Sequence, residues 1–170
     1  MSSGVDPAGL PHRPCAGVAL FNREGLVFVG RRIDGPQEAE GVGQWWQMPQ
    51  GGIDEDEDPV DAARRELAEE TGVASVSYLG DMDWVTYDLP AELVGNAWKG
   101  RYRGQRVKWI AFRFEGDESE IDVLNPGHGH RAEFSEWRWE RLAELPALVA
   151  PFKRDSYEAV ARAFAKFAAR

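Results

Sequence analysis

Gly51-Gly52-Ile53-Asp54-Glu55-Asp56-Glu57-Asp58-Pro59, followed after Val60 to Arg64 by Arg65-Glu66-Leu67-Ala68-Glu69-Glu70-Thr71-Gly72-Val73, is the stretch on which the reading of this 170-residue chain turns. Asp58 is a residue type that caps a helix, and Pro59 at the first helical position gives up an N–H that had no partner there anyway. Val60, Ala63 and Leu67 repeat at helical spacing, and Gly72 supplies the left-handed residue that stops a helix. At roughly 100° per residue, Glu66, Glu69 and Glu70 fall on one helix face. Like charges at this spacing repel by a few tenths of a kcal/mol, so the arrangement costs helix stability. Clustered carboxylates on a rigid element are what a hard divalent cation takes as ligands. The plainer alternative is a solvated acidic face.

Outward from this segment, 170 residues fit one domain. We expect a flexible tail over residues 1–12 and a single domain over residues 13–170, with 43% hydrophobic residues to fill a core. Apolar runs at residues 15–22 and 26–32, separated by Arg23-Glu24-Gly25, predict a strand, a turn and a strand. Residues 33–44 read as a loop. Residues 76–87 and 106–114 read as a strand pair, residues 133–140 as a short strand. A helix after Pro151 carries Tyr157, Val160, Ala161, Phe164 and Phe167 on one side. Interleaved elements of this kind predict an α/β sandwich. The net charge of -9 argues against a broad basic face that coats nucleic acid. One cysteine, Cys15, excludes an internal disulfide, and no apolar run is long enough to span a membrane. The expectation is a cytoplasmic protein with Cys15 as a small buried residue.

Gly51, Glu57, Arg65, Glu66, Leu67, Glu69, Glu70, Gly72 and Val73 match every fixed position of the Nudix box, so the chain resembles the Nudix hydrolase superfamily. The resemblance implies an α/β fold in which a mixed β-sheet is sandwiched between helices. It implies hydrolysis of a pyrophosphate linkage with Mg²⁺, or alternatively Mn²⁺. Glu66, Glu69 and Glu70 would bind metal, with the Gly51 carbonyl as a further ligand, and Glu57 and Arg65 would form a structural ion pair. Glu70 is the first choice as general base, although the sequence does not separate base from ligand.

Outside the box, several stretches resemble the bacterial RNA 5′-pyrophosphohydrolase and dinucleoside polyphosphate hydrolase branch. They are Arg13-Pro14, Gly30-Arg31-Arg32, Trp46-Gln47-Met48-Pro49-Gln50, Trp84-Val85-Thr86-Tyr87-Asp88-Leu89-Pro90, Tyr102-Arg103-Gly104-Gln105 with Lys108-Trp109, Glu133-Phe134, Trp137-Arg138-Trp139, and Pro151-Phe152-Lys153-Arg154. The branch implies that Arg32 and Phe152 sandwich a base, that Arg13, Tyr87, Gln105 and Lys108 lie along the phosphate path, and that Glu133 joins the metal site. Lys153, beside Phe152, completes the candidate substrate residues. The implied substrate is a 5′-triphosphorylated RNA end trimmed to a monophosphate, the step that opens mRNA to decay. Dinucleoside polyphosphates are the alternative substrate. A non-catalytic nucleotide-binding regulator is disfavoured by the intact box carboxylates. The resemblance implies neither DNA nor a membrane as partner, and it carries no signature of oligomeric state.

Plainer readings stand beside several of these. Trp84, Trp109, Trp137 and Trp139 suit sheet packing better than ligand stacking. Phe152 has an alternative as a staple at a helix entry. Arg101 and Arg103 have one as a solvated loop, and His128 and His130 lack a third metal ligand. Residues 53–70 alone carry -7 of the net charge, whereas residues 97–110 carry +5 and no acid.

Overall fold

The computed structural model describes residues 9–33, 45–94, 97–127 and 132–169. Most of the expected N-terminal tail, the loop at 34–44, and His128 and His130 lie outside the described residues.

β1 (His12–Phe21) alternates between two buried faces. Cys15, Ala19 and Phe21 join one apolar cluster, and Ala16, Val18 and Leu20 join the other. This period of two is what a strand covered on both sides requires. β1 runs parallel to β7 (Gly104–Phe114), in register from His12–Gly104 to Phe21–Arg113. The expected turn at residues 23–25 forms where predicted. The Asn22 Oδ1 accepts from the Glu24 and Leu26 N–H groups at 3.0 and 2.9 Å, and Gly25 has φ of 77°.

The strand expected over residues 76–87 is two strands. β5 (Val76–Asp81) and β6 (Val85–Asp88) pair with successive parts of the same edge of β7. Between them, Met82-Asp83-Trp84 leaves the ladder, and β5 carries a bulge between Tyr78 and Gly80. β2 (Val27–Arg32) meets β1 only at Phe21–Val27 and takes β8 (Phe134–Glu140) as its outer neighbour. Into the opening between β2 and β1 runs the segment made of β3 (Trp46–Gln47) and β4 (Gln50–Gly52). It pairs first with β2 through Gly30–Gln47, then with β1 through Gly17–Gln50 and Ala16–Gly51.

Helices cover both faces of this mixed eight-stranded sheet. α1 (Pro59–Thr71) starts as predicted: the Asp58 carboxylate accepts from the Val60 N–H at 2.9 Å, a cap worth ~1 kcal/mol. It ends at Gly72, whose φ of 79° is left-handed and whose N–H reaches the Ala68 carbonyl at 2.9 Å. Ala62, Ala63 and Leu67 are buried against Ala16, Val18, Ile110 and Phe112, and each fully buried large side chain adds about 1.5–3 kcal/mol. A single turn, α2 (Ala91–Val94), follows β6. On the other face lie α3 (Leu145–Leu148) and α4 (Arg154–Ala163), which packs Tyr157, Val160 and Phe164 on Trp109, Phe21 and Val29. The tryptophans divide accordingly. Trp109 is buried edge-on against Tyr157, and Trp137 stacks on Phe28 at 5.6 Å. Trp84 stays half-buried beneath the Arg106 guanidinium at 4.2 Å.

Candidate active site

α1 presents its carboxylates where β4 crosses β1. Gly51 faces the helix so closely that a Cβ there would displace the Glu66 carboxyl from its present position. Arg65 is the hub of the loop before the helix. Its Nε and Nη2 take both Glu57 oxygens at 2.8 Å, and Nη2 also donates to the Gly52 carbonyl at 2.8 Å. Nη1 reaches Glu66 at 2.9 Å and Glu69 at 3.2 Å. The bidentate hydrogen bond from Arg65 holds the Glu57 carboxyl down at about 2. The expected pair of Glu57 and Arg65 is thus part of a larger network that also binds two box glutamates.

Glu70 stands differently. It is 6% exposed, and its Oε2 is buried without a hydrogen-bond partner. Burial pushes its pKa well above the ordinary carboxylate range, and Glu66 and Glu133 push the same way. A backbone hydrogen bond from Gln50 and the charge of Arg32 pull it back. Glu66 is also raised, chiefly by burial, with Arg65 opposing. Glu133 reaches this group from the residue before β8, its carbonyl accepting from the Ile33 N–H at 3.1 Å.

These donors fit a hard divalent cation. All are oxygens, those of Glu66, Glu69, Glu70 and Gly51 stand on α1 and β4, Glu70 presents a buried oxygen with no hydrogen-bond partner among the described residues, and two neighbouring carboxylates raise the cost of leaving the charge alone. Among the described residues, no three acidic or imidazole side chains converge on one point, and the Arg65 guanidinium pairs with both Glu66 and Glu69 as an internal cation.

On the opposite side of β4 lies a polar cluster. Tyr87 and Gln105 are register partners on β6 and β7, and the Tyr87 hydroxyl donates to the Gln105 Oε1. Gln50 Nε2 donates to the same oxygen at 2.6 Å and to the Tyr87 hydroxyl at 3.4 Å. Phe152 is half-buried with its ring 5.7 Å from that of Tyr87, in the short turn Pro151–Lys153 that leads into α4. Lys153 is buried: its ammonium donates to Gln47 at 2.9 Å and lies 5.6 Å from the Tyr87 ring centre. Arg13 lies against Gly52 with its guanidinium 5.4 Å from the Trp98 ring, and its charge is felt at Glu66. Arg32 is close enough to influence Glu70, Tyr87 and Tyr157. Lys108 stands apart from this cluster. Alternation along β7 places it on the α1 side, near Asp81 at 3.9 Å.

The fold therefore unites Glu66, Glu69, Glu70, Glu133, Gly51 and Arg65 on one side of β4, and Tyr87, Gln105, Phe152 and Lys153 on the other. Part of the basic stretch is spent on structure. Arg103 grips Asp88 through two bonds at 2.8 and 2.9 Å, and His12 meets the same carboxylate at 2.7 Å. Burial raises the Cys15 thiol to about 11, which makes it an inert packing group. Sequence reading passed over the two glutamines of Trp46-Gln47-Met48-Pro49-Gln50. Their signal was an amide on each side of an otherwise apolar run inside the sheet, where a buried polar group needs a partner.

A NUDIX domain model matches residues 11–162. An RNA pyrophosphohydrolase of Azorhizobium caulinodans is 57% identical over 161 residues, covering 94% of this chain and 95% of the relative. One of Brucella ovis is 58% identical over 167 residues, covering 97% and 94%. Among solved structures, the E. coli dihydroneopterin triphosphate pyrophosphohydrolase superposes with a TM-score of 0.62 at 17% identity, over 88% of this chain and 96% of that one. A C. elegans Ap4A hydrolase binary complex gives 0.61 at 16% identity, over 91% and 98%. The structural likenesses share the fold. With the domain match over most of its length and relatives above half identity, the chain belongs to the Nudix family.

Proposed function

We propose that this chain is a divalent-metal-dependent pyrophosphohydrolase that removes pyrophosphate from the 5′-triphosphate end of RNA and leaves a monophosphate. The observation that carries the hydrolase reading is the buried Glu70 carboxyl, with a partnerless oxygen, grouped with Glu66 and Glu133. The identity to RNA pyrophosphohydrolases over nearly the whole chain favours RNA ends as substrate. Glu66, Glu69, Glu70, Glu133 and the Gly51 carbonyl would hold the metal, Mg²⁺ in preference to Mn²⁺. The chemistry such a cation supplies is neutralisation of phosphate charge and acidification of the attacking water. The Glu70 carboxylate is also the group placed to receive the water's proton, since burial raises its proton affinity above that of an exposed carboxylate. Arg13, Tyr87 and Gln105 take phosphate oxygens that the metal does not reach, and Lys108 approaches the phosphates from the α1 side of the sheet. Arg32 and Phe152 hold a splayed base, with Lys153 fixing the turn that carries Phe152. RNA ends and a thiol with no disulfide partner both suit the cytoplasm.

The dinucleoside polyphosphate reading draws on the fold shared with the Ap4A hydrolase. A comparison of kcat/KM on a short 5′-triphosphorylated RNA and on diadenosine tetraphosphate, at fixed Mg²⁺, separates the two. We expect RNA to be preferred at least tenfold, about 1.4 kcal/mol. A tenfold preference for the dinucleotide reverses the assignment. In the same assay Phe152→Ala is expected to raise KM for RNA more than for a small nucleotide. Equal losses on both would make Phe152 a packing residue for Tyr87.

A further inference from the structure

Every residue from Gln47 to Gly52 is held by the surrounding fold, Pro49 through its carbonyl, which accepts from the Val18 N–H at 2.9 Å. Gln47 Oε1 accepts from Lys153, and the Met48 N–H donates to the Tyr157 hydroxyl at 2.9 Å, both from the C-terminal face. Gly51 is pressed against Glu66, and the Gly52 carbonyl accepts from Arg65. Gln50 is the residue that reaches both ways. Its backbone hydrogen-bonds Glu70 on the α1 side, while its side-chain amide bonds Gln105 and Tyr87 on the other. Its Oε1 is buried without a partner, so the amide is retained at a polar cost for the sake of its two donor contacts.

We infer that Gln50 is a positioning residue that couples the substrate-side pair of Tyr87 and Gln105 to the metal-side Glu70. The inference rests on the proposed function only in naming those two sides. A strand three residues long, with Gly51 and Gly52 unable to brace it through side chains, takes its position from the groups that grip it. A shift of Gln50 toward Gln105 moves the donor of Glu70 and the neighbouring Gly51 carbonyl together.

The test is Mn²⁺ binding without substrate, followed by the loss of the free-ion paramagnetic resonance signal. It compares the full chain with Tyr87→Phe, Gln50→Met and the double variant, each checked by thermal melting. Tyr87 is not among the proposed ligands, yet Tyr87→Phe is expected to weaken Mn²⁺ binding about three- to tenfold, through coupling of the size found between residues of one network. Gln50→Met is expected to weaken it similarly, and the double variant no further than Gln50→Met alone. Unchanged affinity in Tyr87→Phe, or two losses that multiply, overturns the coupling. If Gln50→Met fails to fold, Gln105→Met replaces it: with Gln50 intact it must weaken Mn²⁺ by the same factor as Tyr87→Phe, and no change overturns the inference. Because the readout needs no turnover, a chain inactive on RNA would defeat the substrate assignment and leave this result standing.

Discussion

Glu70→Gln is expected to lower kcat by a hundredfold or more while the protein stays folded and, without metal, melts at a higher temperature than the parent. The kinetic loss follows from removing the group placed to accept the water's proton, together with one donor for the cation. The gain in stability follows from burial. Glu70 is the most deeply buried acid of the site, and burial with Glu66 and Glu133 raises its pKa in the folded state above its unfolded value. A carboxyl raised in this way binds more protons folded than unfolded, so it weakens the fold progressively as pH climbs above the ordinary glutamate range near 4.5. Glutamine carries no charge to desolvate. The parent's metal-free melting temperature should therefore fall from pH 5 to pH 8 more steeply than that of Glu70→Gln, and added Mg²⁺ should restore the parent far more than the variant. Parallel pH profiles would mean that Glu70 is not the strained group, and activity near that of the parent would remove it from the chemistry.

The same residue shows how far sequence carried the reading. Helical spacing put Glu66, Glu69 and Glu70 on one face, and the cap at Asp58 and stop at Gly72 fixed that helix at both ends. Those features are local, and local chemistry decides them. Spacing could not distinguish Glu70 from Glu69, because their difference is tertiary: Glu69 meets Arg65, whereas Glu70 is turned under β4. The break between β5 and β6 was invisible for a related reason. Gly80, Asp81 and Asp83 are types that strands disfavour, yet Gly80 and Asp81 stay paired, so only the register against β7 shows that Met82-Asp83-Trp84 is where the chain leaves the ladder. Net charge misled in a narrower way. The basic run after Trp98 contains no acid in sequence, yet the fold brings Asp81 and Asp88 to two of its members. Lys153 followed Phe152 in sequence as a second ligand for RNA, but the turn into α4 points it inward to Gln47.

Arg65→Ala should cost the most stability of any single change outside the apolar core. Arg65 ties Glu57, Glu66, Glu69 and the Gly52 carbonyl into one network, and its loss leaves three carboxylates without their common cation. Breaking one partner of a buried pair costs about 3–5 kcal/mol, and a side chain still 29% exposed retains some screening, so about 2–3 kcal/mol is expected. For a domain of this size that is a drop in melting temperature of roughly 5–10 °C. The sign of its pH dependence is opposite to that of Glu70. Arg65 holds Glu57 at about 2 in the folded state against 4.5 ordinarily, so the stabilisation is fully present above pH 4.5 and lost as pH falls through 2. The gap between parent and variant should accordingly be widest near neutral pH and narrow steadily below pH 4.5. Arg65→Lys should recover only a small part of it, since one ammonium cannot serve both Glu57 oxygens and the Gly52 carbonyl in the same geometry. A gap that stayed constant with pH would assign the loss to packing of the arginine stem. Added Mg²⁺ discriminates once more: a cation that binds Glu66 and Glu69 takes over part of the role of the guanidinium, so the stability gained on adding Mg²⁺ should be larger in Arg65→Ala than in the parent. Equal gains in the two proteins would mean that arginine and metal do not share these carboxylates.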